Sequence, residues 1–516
     1  MKSGGPLIFV FLLFFGFGSL AAQELPGNSG ESLAERGVLD VLNIEFFPVL
    51  RLFLNDTGDS YNADYLAYYE EKRFIRLGVE FKTPGGLEVN LNLDLTQGIL
   101  ANKFNPYFLN IPYMAGAPLH GFIDTETPME SYIAYEGDLI DLSVGRRKWG
   151  LGAGRYSLMA GLGAPWFDGL WFNLHPVVSG HRFDWTFLIA SDDPGFVDLW
   201  NKSISTAHDT NYLNSNVPLL SPWDGRYFMV HKTTIRGETW KAGVGEMAIL
   251  VGGADFFSAN PTAIWHSAFL SFLNVGVEVS GEKRFGENFR LYGEVMFDDL
   301  PTEGGITNPI ALAATLGLDY HLLDTAGPYT GPFQSLYLTA KREDSLAFTG
   351  GLTLSLQGVY ASKYVYSRSA SEGVERFTML KHAVVSRDQA DFYNYEHYTG
   401  FDYGPDNFLL AFNAAYESPS LLINAGLALL VRGAYGVADQ QPPDSRDWTG
   451  FTKVNGGASD WFFSKDLAGY QADLTLEAFW RLTPTQALYF RLNGTLATIE
   501  AYDNRLLLEA GILFKL

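Results

Sequence analysis

The chain has 516 residues, carries a formal charge of -22, is 15% aromatic and contains no cysteine. Such an acidic balance argues against nucleic acid and acidic lipid surfaces as partners, and the missing thiols exclude disulfides and a lipoprotein anchor. Past the N-terminus no run reaches the roughly 18 apolar residues of a spanning helix, yet the mean hydropathy is close to neutral, as in a wall with lipid on one side and water on the other.

Lys2, the apolar run Pro6 to Phe17 and the small residues Ser19 and Ala21 have the layout of a cleaved secretory signal over residues 1–21. Residues 22–42 read as a short periplasmic segment in which Glu31 to Leu42 forms one helix with Ser32 as its N-cap. A β-barrel is expected over residues 43–516. Its first strand runs from Asn43 to Leu54, interrupted by Pro48.

The stretch Phe74 to Gln97 is the clearest element. Ile75, Leu77, Val79 and Phe81 alternate with polar residues and Gly78, and after Thr83-Pro84-Gly85-Gly86 the alternation resumes at Leu87, Val89, Leu91, Leu93 and Leu95. Period two predicts strands, and apolar faces sustained over about 9 to 11 residues match a tilted membrane-spanning strand. A Pro84-Gly85-Gly86 loop sets Lys82 opposite Glu88 and Arg76 opposite Asp94 with their side chains toward the lumen, whereas the neighbouring register faces Glu80 against Glu88.

Beyond it, connections alternate in length. Ile99 to Thr127, Lys148 to Pro165 and Ser191 to Gly225 are long; Gly137-Asp138 and Pro176 to Gly180 are short. Long connections are expected outside the cell, with Lys148 to Pro165 outside or folded into the barrel mouth, and short turns and both termini on the periplasmic side. Further strands are Val275 to Val279, Phe289 to Phe297, Phe408 to Glu417, Leu421 to Tyr435, Gly469 to Leu482, Gln486 to Glu500 and Arg505 to Leu516, with a long loop from Gly436 to Ala468. Residues 310–366 hold two strands or four. The fold class is all-β, a transmembrane antiparallel β-barrel of about 18 strands with 16 or 20 as the even alternatives; a secreted β-sandwich fits the strand lengths less well. The last strand presents Leu506, Leu508, Ala510, Ile512, Phe514 and Leu516 on one face.

Nothing points to an enzyme. The nine histidines form no HExxH or paired motif, and no nucleophile elbow occurs. Arg155 stands where a dinucleotide fingerprint needs its third glycine after Gly150-Leu151-Gly152-Ala153-Gly154, so no cofactor is implied. Asp298-Asp299 at a strand end reads as solvated rim.

The stretch GRRKWGLGAGRYSLMAGLGAPWFDGLWF, Gly145 to Phe172, resembles the central motif of the outer-membrane capsule-assembly (Wzi) family. NPTAIWHSAF (Asn260 to Phe269), LYGEVMFDDL (Leu291 to Leu300) and YTGFDYGPDN (Tyr398 to Asn407) resemble three further motifs of that family in the same order. The resemblance implies an 18-stranded barrel of the bacterial outer membrane that binds surface polysaccharide and helps hold it on the cell. It departs at the front, where one short helix stands in place of a helical bundle. The partners expected are outer-membrane lipid, surface polysaccharide and, during biogenesis, the barrel-assembly machinery. Arg146, Arg147 and Arg155 offer forked donors to an anionic glycan, and Trp149, Tyr156, Trp166 and Trp171 offer apolar faces to sugar rings. The bland alternative pairs the arginines with acids such as Glu130 and Asp141 and puts the tryptophans at the membrane interface. The rival function is a general or solute-specific diffusion porin, which differs in having an open lumen.

Overall fold

The structure is a computed structural model and describes residues 42–55, 74–95, 107–109, 130–161, 166–192, 225–252, 260, 264–265, 273–299, 311–323, 327, 329, 341–342, 347–363, 365–366, 379–388, 391–433, 467–498 and 504–515. The proposed signal, the N-terminal helix, Leu516 and most of the long loops lie outside these.

Alternating side chains turn the chain into hairpins, and the hairpins close on themselves. The staves are β1 (Leu42–Phe46 and Val49–Asn55), β2 (Ile75–Lys82), β3 (Leu87–Leu95), β4 (Ser131–Glu136), β5 (Ile140–Arg147), β6 (Phe167–Leu174), β7 (His181–Ser191), β8 (Gly225–Arg236) and β9 (Trp240–Gly252). They continue with β10 (Leu273–Phe285), β11 (Phe289–Asp299), β12 (Ala311–Leu323), β13 (Gly351–Ala361), β14 (Asn407–Glu417), β15 (Leu421–Gly433), β16 (Leu467–Thr483), β17 (Gln486–Ala497) and β18 (Arg505–Lys515). Each is antiparallel to its neighbours in chain order, and β18 pairs back onto β1, so among the described residues an 18-strand barrel closes without a free edge. Among the described residues, 310–366 contribute two staves, β12 and β13.

The opening hairpin has the expected register, with Arg76 opposite Asp94 and Lys82 opposite Glu88. The charges explain it. Arg76 grips Asp94 with two hydrogen bonds of 2.7 and 3.0 Å inside the barrel, and Lys82 bridges Glu88 at 3.5 Å and Glu136 of β4 at 2.6 Å. At the turn the Gly86 N–H donates to Thr83 at 3.1 Å, and Gly86 has a φ of 87°, a conformation that costs glycine nothing.

Short turns gather at one end of the barrel (the turn end), and the long connections at the other (the loop end). The alternation fails once: the connection from β12 to β13, residues 324–350, is long and leaves from the turn end.

Outward faces carry Val244, Val279, Leu316, Phe412, Leu427 and Leu474, all exposed, and aromatic residues Trp240, Phe285, Phe289, Tyr320 and Trp480 ring the outside near the turn end. This is the apolar band and girdle of a membrane barrel. One outward sector differs: Trp265 packs over Phe187, Met229, Ala248 and Leu250, stacks on the His231 ring at 4.4 Å, and donates its backbone N–H to Glu246 at 2.9 Å. The inner face has two levels. Toward the turn end it is polar, with Lys241, Glu282, Arg290 and Asp319 in ion pairs. Toward the loop end it is apolar, with Val230, Met247, Ile249, Val359 and Leu430 buried.

Candidate functional site

After Arg147 the chain turns inward, and Lys148 to Gly161 descends into the loop end of the lumen as a plug. A segment with almost no regular pairing of its own must place its backbone polar groups elsewhere, and here wall side chains take them. Lys232 on β8 donates to the Leu151 carbonyl at 2.7 Å, and Arg290 on β11 to the Ala153 carbonyl at 2.9 Å. Gln357 on β13 donates to the Tyr156 carbonyl at 2.8 Å and accepts its N–H at 3.3 Å, while the Tyr366 hydroxyl donates to the Leu158 carbonyl at 2.9 Å. Glu294 on β11 accepts three bonds: from the N–H groups of Ala153 and Leu158 at 2.7 and 2.8 Å and from the Ser157 hydroxyl at 3.1 Å.

The glycine run serves close approach. A Cβ at Gly152 would collide with the Ser157 side chain and the Glu294 carboxylate. Leu151, Leu158, Met159 and Ala160 are buried against the apolar level of the wall, forming a core inside the barrel.

The seven residues singled out in the sequence divide by environment. Trp149 and Trp171 are 2% and 3% exposed and stack on each other at 5.6 Å, within that core. Tyr156 is buried beside Phe401 and Tyr403, with ring centroids 6.3 and 5.9 Å away. Arg147 is buried, 3.8 Å from Glu130 and with its guanidinium 4.0 Å from the Tyr132 ring centre. More accessible are Arg146, paired with Asp168 through bonds of 2.9 and 2.6 Å, and Trp166, whose ring lies 4.2 Å from the Lys148 ammonium. Arg155 is exposed and reaches Asn413 on β14 at 3.2 Å. Of the acidic partners named in advance, Glu130 does face Arg147; Asp141 instead lies 3.4 Å from His175, and Arg146 takes Asp168 because β5 and β6 set the two opposite each other.

Two of the three supporting motifs also meet at the plug. Glu294 belongs to the Leu291 to Leu300 stretch. In the Tyr398 to Asn407 stretch, Phe401 and Tyr403 pack on Tyr156, and Asn407 closes the loop by donating to Tyr403 and Pro405 carbonyls at 2.7 Å each. Burial pushes the Asp402 carboxyl up to about 6, with Arg155 and Lys148 pulling the other way. The wall residues that hold the plug, Lys232, Arg290, Glu294 and Gln357, escaped the sequence reading. The signal for Glu294 was an acid on the inward side of β11 between Tyr292 and Met296.

No protein-family model matches the chain, and no curated protein matches it. Among solved structures it is similar to Wzi, an outer membrane protein involved in group 1 capsule assembly in Escherichia coli and a carbohydrate-binding β-barrel, with TM-score 0.46 and 10% identity over 96% of this chain and 91% of that one. It is also similar to Pseudomonas aeruginosa OccK11 (TM-score 0.39, 8% identity, covering 92% and 95% of the two chains) and to the Pseudomonas aeruginosa outer membrane protein OpdK (0.37, 10%, 93% and 100%).

Proposed function

We propose that the protein is an integral outer-membrane barrel, loop end outward and termini periplasmic, that binds an anionic surface polysaccharide and helps retain it on the cell. The observation that carries this reading is the plug. A diffusion porin needs a hydrated bore, whereas here the loop-end lumen is filled by a segment with its own apolar core and polar anchors on four staves. The ligand would meet the rim, where Arg146 and Trp166 are accessible; Arg147, Trp149, Tyr156 and Trp171 would act by fixing the plug beneath them, and Arg155, held by Asn413 at mid-stave, lies deeper in the lumen.

Planar-bilayer conductance tests the first half. The purified protein should insert without steady conductance, and porin-like open-channel steps would overturn the reading. Retention of polysaccharide by cells tests the second. Replacing Arg146 by Gln and Trp166 by Ala should weaken it while the barrel assembles normally, and unchanged retention would remove the rim from the proposal.

A further inference from the structure

At mid-height the inner face of β13 to β17 carries a row without charge. Strand register sets Ser355, Asn413, Gly426, Thr475 and Asn493 side by side, and Asn424 stands one step nearer the turn end. All six are half-buried, whereas the residues next to them toward the loop end, Ala411, Ala428, Gln471 and Thr495, are buried. Half-exposure continues along β14 through Ala415 to Glu417, so the space in front of the row opens toward the turn end and stops at the plug. The plug agrees. Gly152 to Gly154 are half-buried and Arg155 is exposed, while Leu151 and Tyr156 on either side are buried.

Polar groups converge at the centre of the row. A Cβ built on Gly426 would stand 2.7 Å from the Thr475 hydroxyl, 3.3 Å from the Asn413 side-chain oxygen and 3.5 Å from the Arg155 guanidinium, so three side chains meet over bare backbone. Yet among the described residues Ser355, Asn424 and Thr475 make no side-chain hydrogen bond, and Asn413 makes only the one it accepts from Arg155. Convergent amides and hydroxyls with donors and acceptors to spare are the polar equipment of a ligand site.

We propose that this row binds an uncharged, hydroxyl-rich molecule, a sugar unit, entering from the turn end. Each amide and hydroxyl there both donates and accepts, as a sugar hydroxyl does in return. An anion fits poorly. Arg155 stands beside Glu477 and Asp402, and Arg491 is taken by Glu509 at 3.6 Å, so no positive field awaits it. The site is separate from the rim and does not depend on the reading of the rim.

Calorimetry on the folded protein in an amine-oxide detergent tests this, with glucose and galactose as probes and glucuronate and galacturonate as their charged counterparts. At least one neutral sugar should bind, its uronate about tenfold more weakly. Thr475→Val and Asn424→Leu keep shape and remove hydrogen bonding, so each should weaken binding about three- to tenfold. The Arg146→Gln, Trp166→Ala rim variant should bind the sugar as the parent does. No binding of either neutral sugar, uronates bound equally well, parental affinity in both row variants, or loss in the rim variant would each overturn the proposal. If the row variants do not fold, a thiol beside the site decides, because the chain has no native cysteine. In Ala415→Cys a small methanethiosulfonate should label the folded protein, and saturating sugar should slow labelling at least about fivefold. An unreactive thiol, or one that the sugar does not protect, would refute the site.

Discussion

Glu294 is a single carboxylate that satisfies three donors from a segment lying 136 to 141 positions away in sequence. Hydrogen bonds to a charged acceptor are the strong ones, so Glu294→Gln, which turns an amide N–H toward plug N–H groups, should cost about 3 kcal/mol. The measurement is limited proteolysis of the folded barrel, in which the plug should become cleavable while heat-modifiable gel mobility is kept. Asp402 acts in the opposite sense. Its carboxyl titrates at about 6 in the fold against 3.8 ordinarily, so between these values the folded state holds the extra proton. Stability should therefore fall as pH rises from about 4 to about 6 and stay level above. Asp402→Asn should remove that slope in thermal melts run across the range, and a slope unchanged by the substitution would place the titrating group elsewhere.

At the scale of elements, the plug and the strands behind it are one packing unit. Met247 to Val251 on β9 are apolar on both faces because the inner face meets the plug and the outer face meets the sector under Trp265. Trp149 belongs to that unit, and Trp149→Ala should cost about 3 to 5 kcal/mol, the range for emptying an aromatic site in a core. Polysaccharide retention should then fall together with protease resistance of the plug, whereas a tryptophan serving only as a sugar platform would lose retention alone. Strands were the legible part of the sequence. Period-two alternation and the Arg76–Asp94 and Lys82–Glu88 charges predict the first hairpin to the residue, since turn, pairing and burial agree there. The plug was readable as a place, from its glycines and position after β5, but its anchors were not. Lys232 and Glu294 contact it across the barrel, and period two says which face a residue takes without saying what will lie against it.

For the whole molecule, hydrogen bonding between the last stave and the first removes every edge from which unfolding starts cheaply. Unheated protein in detergent gels should therefore migrate apart from boiled protein, and recovery as a soluble species with a single mobility would contradict a closed membrane barrel. The same closure restricts how the charge of -22 is spent. Asp94, Glu278, Glu282, Asp319 and Glu509 are balanced inside by Arg76, Lys232, Lys241, Arg290 and Arg491.

The plug also sets an order of events in time. Its segment leaves the ribosome before any of its principal anchors, and Arg155 waits for Asn413, 258 positions later, while Tyr156 waits for Gln357 across 201. Contacts that distant cannot form until most of the wall exists, and loop-closure entropy makes them slow. Until then the nascent chain carries an apolar, glycine-rich stretch with nothing to cover it. That interval is when aggregation threatens most, so a variant that only delays the late staves should be lost to degradation without any defect in the finished barrel.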